Sequence, residues 1–253
     1  MLRIRGVTIG YGGEPVVDGI DLDVRAGEFV TLLGPSGSGK SSLLRAITGL
    51  TPCLRGDIAL DLPANDVGFL FQDDALLPWR TAWQNVALGL TIRGASTADA
   101  REQARRWLSN MGLAGLDDRY PRQLSGGQRK RVALAQVFAL RPKLLLMDEP
   151  FASLDAIVRT RITEDLIGWV EREHLTVLLV THDIEEAITL SDRVYVLSQG
   201  PRARVKSCRD VAIERPRHVL ASRQHPRFGP LVQQLWDDLE DETAPVSMPE
   251  LSR

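Results

Sequence analysis

An α/β fold with a parallel sheet at its centre is predicted by three features of the sequence. Residues 143–148 (KLLLMD) and residues 176–181 (TVLLVT) are unbroken apolar runs, which are typical of parallel strands buried on both faces. Residues 155–173 lie between the two runs and are predicted to form the crossover helix that joins them. The third feature is a short apolar run, a glycine-rich loop and a helical pattern in succession over residues 28–50.

Length, charge and cysteine content exclude several classes of protein. The chain has 253 residues, 43% of them hydrophobic, and a formal net charge of −2. This length allows one large domain or two small ones, and the small net charge predicts no nucleic-acid partner. Cys53 and Cys208 are far apart in the chain, which favours a reducing compartment over a zinc site or a disulfide framework. We expect a soluble chain, because no apolar run reaches membrane-spanning length. The first residues also run directly into a strand pattern, so we expect no signal peptide.

The segments around the parallel core predict two additions to it. Residues 2–9 and 16–24 have strand patterns and predict an antiparallel sheet beside the parallel core. Residues 56–62 alternate as another strand, and residues 67–72 are apolar enough for a core strand. Residues from about 76 to 134 lack long β runs and predict a helical insert.

The last part of the chain changes in composition. Residues 194–198 are predicted to be the last strand. The following basic run, residues 202–227, is compatible with a nucleic-acid or lipid patch, but a solvated surface is favoured. Leu231, Leu235 and Leu239 predict a weak amphipathic helix.

The glycine-rich loop predicts a site for a nucleoside triphosphate. Residues 34–41 (GPSGSGKS) fit the pattern G-x-x-x-x-G-K-[ST] between a strand and a helix, which predicts a P-loop NTPase (RecA-like) core. Glycines let backbone N–H groups surround a phosphate, and the helix dipole adds positive potential. Lys40 is expected to bind the β and γ phosphates, and the Ser41 hydroxyl to bind Mg²⁺. A glycine-rich turn without a ligand is the alternative for this motif alone. The apolar side of the helix is predicted to comprise Leu43, Leu44, Ile47 and Leu50.

Two acidic residues follow the predicted strand at residues 143–148. In open α/β sheets ligands bind outside the carboxyl ends of the strands. Asp148 is therefore placed to hold Mg²⁺, and Glu149, which points elsewhere, could take a proton from an attacking water. Solvated acids at a strand end are the alternative, which the P-loop in the same chain disfavours.

Residues 124–128 (LSGGQ) predict a second helix start with exposed N–H groups. Ser125 can cap this helix, with Gln128 at its third position, and the motif alone indicates an ordinary capped helix or a second anion site. LSGGQ resembles the signature of ABC-type ATPases, and the resemblance covers the chain from Tyr11 to about residue 198.

The resemblance implies roles for residues that mean little alone. Tyr11 corresponds to the aromatic residue that stacks on adenine, an interaction worth roughly 1–3 kcal/mol. Gln72 corresponds to the glutamine that reaches Mg²⁺ and the attacking water, and His182 to the histidine at the γ phosphate. Residues 153–155 (Ser153, Leu154 and Asp155) correspond to the loop that crosses a dimer interface. Without the resemblance, Tyr11 would be interpreted as a turn residue, Gln72 as a residue at a strand end, His182 as a structural histidine and residues 153–155 as a helix cap.

The family resemblance implies a dimer with two ATP molecules between the subunits, each between one P-loop and the other chain's signature. The expected catalytic residues are Glu149, His182 and Lys40. The expected metal ligands are Ser41, Gln72 and Asp148. The expected nucleotide-binding residues are Tyr11, Gly34, Pro35, Ser36, Gly37, Ser38, Gly39, Lys40, Ser41, Ser42, Gln72, Ser125, Gly126, Gly127 and Gln128. The resemblance implies an ATPase domain at residues 1–205, with its core at 1–75 and 135–205, an ABC-specific helical subdomain at about 76–134, and a tail at 206–253.

The kind of ABC protein is narrowed by what the chain lacks. It has no long coiled-coil insert, no second cassette and no membrane helices of its own, which leaves the separate ATPase subunit of a permease. Residues 77–79 (LPW), Asn85 and Val86 are similar to the ATPases of nitrate, sulfonate, taurine and thiamine-precursor importers. The resemblance implies that a permease docks at residues 76–79, and packing inside the helical insert is the alternative for these residues. This implies a bacterial importer with a solute-binding protein, at the cytoplasmic face of the membrane. A soluble ABC ATPase that switches another macromolecule is the alternative.

Overall fold

The computed structural model describes residues 1–152 and 154–240. Within these residues the chain forms nine strands and eight α-helices. The strands are β1 (Leu2–Tyr11), β2 (Glu14–Val24), β3 (Phe29–Leu33), β4 (Arg55–Leu60), β5 (Val67–Leu70), β6 (Leu144–Asp148), β7 (Thr176–Thr181), β8 (Arg193–Leu197) and β9 (Val205–Asp210). The helices are α1 (Lys40–Ile47), α2 (Ala82–Ile92), α3 (Thr97–Asn110), α4 (Gly126–Phe138), α5 (Ala156–Arg172), α6 (Ile184–Leu190), α7 (Val219–Arg223) and α8 (Phe228–Glu240).

The predicted parallel sheet is present. Its strand order is β5-β6-β7-β3-β8-β9, and all neighbours are parallel except β8 and β9. Every residue of β3, β6 and β7 is buried, which explains their unbroken apolar sequences. Because the parallel strands share one direction, the loops after β3, β5, β6 and β7 all lie at the same edge of the sheet.

The predicted antiparallel sheet and helical insert are also present. The antiparallel sheet has the order β2-β1-β4, and its buried residues share one apolar cluster with α1 and one side of the parallel sheet. Helices α2, α3 and α4 enclose a second cluster that continues to the other side of the parallel sheet. The stacked rings of Trp107 and Phe138, with centroids 5.9 Å apart, join α3 to α4 in this cluster.

Two predicted element boundaries are wrong. Helix α1 ends at Ile47, because Gly49 adopts a left-handed φ of 75° and its N–H donates to the carbonyl of Ala46. Leu50 is therefore not on the buried side of the helix, and it is 66% exposed. Residues 194–198 are also not the last strand, since β9 pairs antiparallel with β8.

The basic run after residue 201 is in large part tied to the rest of the chain and is not simply a solvated surface. Asp192 accepts hydrogen bonds from Arg215 and Arg217 of this run and from the backbone N–H of Phe29 at the start of β3. Arg209 of β9 binds Asp238 of α8 through two hydrogen bonds of 2.8 Å. These ion pairs hold the segment after β8 against the sheet.

The predicted amphipathic helix is α8. Its residues Phe228, Leu231 and Leu235 are buried against α6, β8 and the end of β3, while Leu239 is partly buried. The division of the chain into a core, a helical subdomain and a tail remains a prediction.

Candidate nucleotide-binding and catalytic site

The P-loop connects the central strand β3 to α1. Gly37 and Gly39 adopt left-handed φ values of 82° and 86°, which favour glycine. A Cβ on Gly39 would also lie 2.6 Å from Cγ1 of Val17 in β2. No side chain caps α1, whereas side chains cap α3, α4, α5 and α6. The first-turn N–H groups of α1 are therefore available to an anion.

Lys40 is buried inside the loop. Its Nζ donates to the carbonyls of Gly34 and Pro35 at 2.9 and 2.8 Å. It also lies 3.8 Å from Oε1 of Glu149. Burial lowers the pKa of Lys40, while the charges of Glu149 and Asp148 act in the opposite direction. A phosphate in the loop would further favour the charged amine.

Ser41 and Asp148 come together as the predicted metal pair. The Oγ of Ser41 donates to Oδ1 of Asp148 at 2.8 Å. Asp148 is 5% exposed, and burial raises its pKa. These two oxygen ligands are of the kind that Mg²⁺ prefers, and a cation would stabilise the buried carboxylate. The donor set therefore fits the ion.

Gln72 lies at the same edge of the sheet as Asp148. It follows β5, which pairs with β6 so that Leu70 is aligned with Met147. The Gln72 side chain is exposed, so its amide is accessible to a ligand at this edge of the sheet.

Glu149 lies between Lys40 and His182. Its Oε2 is 3.1 Å from Nδ1 of His182. Its backbone has a left-handed φ of 42°, and its N–H donates to the carbonyl of Val180 in β7 at 2.9 Å. A positive φ at a residue other than glycine is uncommon and is often found at functional sites. This conformation directs the carboxylate toward the P-loop lysine.

Tyr11 stands at the outer end of the site. It ends β1, its ring is 52% exposed, and its hydroxyl lies 3.1 Å from Oγ of Ser42 in α1. The hydrogen bond with Ser42 lowers the pKa of Tyr11. An exposed ring fixed beside the P-loop helix can stack on a base.

The LSGGQ segment forms the predicted capping box. Ser125 Oγ accepts from the N–H of Gln128 at 3.3 Å, and Gln128 Oε1 accepts from the N–H of Ser125 at 2.9 Å. A Cβ on Gly127 would lie 2.6 Å from Cγ1 of Val158 in α5, whereas the nearest atom to a Cβ on Gly126 is 3.8 Å away. In the described ranges, no hydrogen bond or ion pair joins this segment to the P-loop.

The predicted site residues thus form two groups. Tyr11, the P-loop, Gln72, Asp148, Glu149 and His182 lie around one edge of the sheet, while Ser125, Gly126, Gly127 and Gln128 lie elsewhere on the chain. Asp155 caps α5 by accepting from the N–H of Val158 at 3.0 Å. Ser153 lies outside the described residues.

Lys130 is a buried charge beside the site that the sequence analysis did not predict. Lys130 of α4 is 1% exposed, and its Nζ is 2.7 Å from Oδ1 of Asp74. It lies between two arginines in the sequence, and three successive basic residues are typical of a solvent-exposed segment. The signal that it faces inward is helical periodicity, since Ala133, Leu134 and Val137 follow it at i+3, i+4 and i+7.

Comparison with known proteins identifies the family to which this site belongs. A family model described as ABC transporter matches residues 17–152. The chain belongs to the ABC transporter family and is an ATPase cassette of that family. No helix within the described ranges is both long and apolar enough to cross a membrane.

The similar proteins include ATP-binding subunits of importers. An "Aliphatic sulfonates import ATP-binding protein SsuB 2" of Mesorhizobium japonicum is 42% identical over 97% of this chain and 94% of its own length. An SsuB 3 protein of Paraburkholderia xenovorans with the same description is 49% identical over 79% of this chain and 77% of its own. The "Bicarbonate transport ATP-binding protein CmpC" of Synechocystis is 41% identical over 86% of this chain and 34% of its own.

Solved structures of ABC cassettes resemble this chain in fold. A dimeric post-hydrolysis state of the cassette MJ0796, bound to ADP and Pi, superimposes with a TM-score of 0.73 at 32% identity, covering 85% of this chain and all of the other. CbiO1 of Clostridium perfringens, part of the transporter complex cbiONQ, gives a TM-score of 0.73 at 28% identity, covering 83% of this chain and 88% of its own.

Proposed function

We propose that this chain is the ATP-hydrolysing subunit of a bacterial importer for aliphatic sulfonates. It would lie at the cytoplasmic face of the membrane, bound to a separate permease that receives its solute from a binding protein. The convergence of Lys40, Ser41, Asp148, Glu149 and His182 at one edge of the sheet carries the proposal of hydrolysis. The similarity to sulfonate-import subunits over nearly the whole chain supports the choice of solute.

In the proposed mechanism the P-loop binds the triphosphate and Glu149 acts on water. Lys40 exchanges its bonds to the carbonyls of Gly34 and Pro35 for bonds to phosphate oxygens. Ser41, Asp148 and Gln72 would hold Mg²⁺, which supplies positive charge to the β and γ phosphates. Glu149 accepts a proton from the attacking water, and His182 contacts the γ phosphate while fixing the direction of the Glu149 carboxylate.

A second copy of the chain would complete each site. Ser125 and Gly127 lie on a helix start that, within the described residues, makes no hydrogen bond or ion pair to the P-loop of its own chain, so they are available to a nucleotide held by the partner subunit. ATP binding would bring the two copies together, and hydrolysis would release them.

The proposed permease contact is the segment at residues 76–79. Leu76 packs on the helical cluster, whereas Trp79 is 70% exposed. Asn85 holds the segment by accepting from the N–H of Leu77 at 2.7 Å and by donating to the carbonyls of Leu77 and Arg80. An exposed tryptophan on an anchored loop is suited to a groove or helix of a partner.

A growth test can separate this proposal from a soluble switch. The gene is deleted, and the strain is supplied with an alkanesulfonate or with sulfate as its sole sulfur source. We expect loss of growth on the alkanesulfonate alone, restored by the wild-type gene and not by Lys40→Ala. Unimpaired growth on alkanesulfonates would rule out the proposed solute. ATPase activity in the purified chain with normal growth would favour the alternative.

A further inference from the structure

Lys130 is a buried lysine that the proposed mechanism does not use. It lies on the helix that begins with the LSGGQ signature, one turn after Gly127. A lysine is almost never fully buried unless it is paired, because removing its charge from water is costly. Its burial therefore requires a partner, and the identity of that partner indicates what the lysine holds.

The partners of Lys130 belong to the loop that carries Gln72. Its Nζ lies 2.7 Å from Oδ1 of Asp74 and donates to the backbone carbonyl of Gln72 at 3.2 Å. Asp74 also lies 3.8 Å from Nε of Arg129, the neighbour of Lys130 on α4. A single side chain thus joins the backbone of the predicted Mg²⁺ ligand to the signature helix.

The same loop is fastened at a second point to the helical insert. The left-handed Ala75 (φ 52°) turns the chain away from Gln72, and the following residues 77–81 are bound by the buried side chain of Asn85. The exposed Trp79 lies within this second part. Trp79 and the residues that Lys130 holds therefore belong to one loop that is anchored at two points.

We propose that Lys130 is a positioning residue that makes the Gln72 loop and the signature helix move together. The inference rests on the proposed ATP hydrolysis, in which Gln72 serves the nucleotide of its own chain and Ser125 the nucleotide of the partner subunit. Lys130 couples these two roles, so a shift of the loop on one nucleotide changes the presentation of the signature to the other. It acts through these residues and contacts neither nucleotide.

If Lys130 had only a structural role, its variants would give a different experimental result. Removing Lys130 leaves the carboxylate of Asp74 without its main partner, and breaking a buried pair destabilises a fold. Replacing both members by neutral residues removes that penalty while the link stays broken. The decisive protein is therefore the double variant Lys130→Met with Asp74→Asn, compared with each single variant.

The chain offers a matched control. Lys143 and Asp66 form another lysine–aspartate pair at 2.7 Å, but Lys143 is 66% exposed. Their pair lies at the opposite end of β5 and β6, away from the nucleotide. Lys143→Met with Asp66→Asn makes the same chemical change at a position where we expect no effect on turnover.

Three quantities are measured on the full-length proteins: the melting temperature, the dissociation constant for a fluorescent ATP analogue, and kcat at saturating Mg-ATP. For the double variant we expect a wild-type melting temperature, a dissociation constant within twofold of wild type, and a kcat reduced about tenfold or more. A double variant with wild-type melting temperature and a kcat within twofold of wild type would overturn the proposal.

A second measurement applies if the double variant does not fold. Asp74→Asn alone is nearly isosteric, and amide hydrogen exchange in residues 72–77 reports the link without any hydrolysis. We expect faster exchange there with little change in β3 or β6, and unchanged exchange would refute the link. Absence of ATPase activity in the wild type would instead refute the proposed function, and the exchange result would still stand.

Discussion

The imidazole Nδ1 of His182 lies 3.1 Å from Oε2 of Glu149. Since Lys40 faces the other oxygen of the same carboxylate at 3.8 Å, Glu149 is held from two sides. The two contacts come from different elements, the P-loop and the end of β7. The direction of the proposed general base is thereby fixed by the sheet itself.

Glu149→Gln should abolish turnover while keeping ATP binding. The amide retains the shape of the side chain but cannot accept a proton, and loss of a general base costs roughly 10²–10⁴-fold in rate. Phosphate release measures kcat, and size-exclusion chromatography with ATP and Mg²⁺ should show a trapped dimer. Wild-type hydrolysis by this variant would refute the assignment of Glu149 as the base.

Lys40→Ala should weaken nucleotide binding itself. The variant loses a charged donor to the phosphates, and bonds to charged groups contribute about 1.5–3 kcal/mol, which corresponds to roughly 10–100-fold in affinity. Titration of a fluorescent ATP analogue checks this, with Lys143→Ala as a control that removes an exposed lysine. Equal affinity of Lys40→Ala and wild type would show that the P-loop assignment is wrong.

Ser41→Ala should raise the Mg²⁺ concentration needed for hydrolysis. The hydroxyl is one of the two oxygen ligands already paired in the structure, and Asp148 remains in the variant. Hydrolysis is measured against Mg²⁺ at saturating ATP, and chelation by EDTA should stop it in both proteins. Ser42→Ala, which removes the neighbouring hydroxyl, should leave the Mg²⁺ dependence unchanged. Identical Mg²⁺ curves for Ser41→Ala and wild type would exclude Ser41 as a ligand.

Stability should fall as the pH rises through the titration of Glu186. Desolvation raises the pKa of Glu186 from 4.5 to about 7, with Asp183 and Glu149 acting in the same direction and Thr181 and Arg159 opposing it. Because the folded pKa lies above the unfolded one, the stabilisation is full below about pH 4.5 and is lost as the pH rises through 7.

For Glu186 the expected loss in the free energy of unfolding is about 2 kcal/mol between pH 5.5 and pH 8. Glu186→Gln has no such titration. Between the two pH values its free energy of unfolding should therefore fall by about 2 kcal/mol less than that of the wild type. Urea unfolding at the two pH values measures both proteins. Parallel pH dependence in wild type and variant would contradict the raised pKa.

The parts of the fold predicted from the sequence are those whose stabilisation is local or periodic. The buried strands β3, β6 and β7 could be predicted from their apolar runs. The helix start at Ser125 could be predicted from the capping pattern that Ser125 and Gln128 form over four residues. Motif spacing also predicted that Lys40, Ser41 and Asp148 lie close together, because a P-loop and an acidic strand end meet at one edge of a parallel sheet; their roles toward a nucleotide stay a prediction.

The parts that were missed depend on partners distant in the sequence. Strand β9 (VKSCRD) shows little apolar alternation, because Ser207 and Arg209 bind Asp238 of α8. The burial of Lys130 likewise depends on Asp74, 56 positions earlier, whose proximity no local pattern reveals.

The two glycines of the LSGGQ signature, Gly126 and Gly127, differ in how closely they approach the rest of the same chain. A methyl group on Gly127 collides with Val158 of the same chain, so Gly127→Ala disturbs the contact between α4 and α5 whether or not a nucleotide is present. Among the described residues, the atom nearest to a methyl group on Gly126 is a guanidinium nitrogen of Arg129 at 3.8 Å. Defects that appear in Gly126→Ala only when two copies meet over ATP would therefore indicate the proposed shared site, whereas defects in Gly127→Ala would also reflect altered packing within a single subunit.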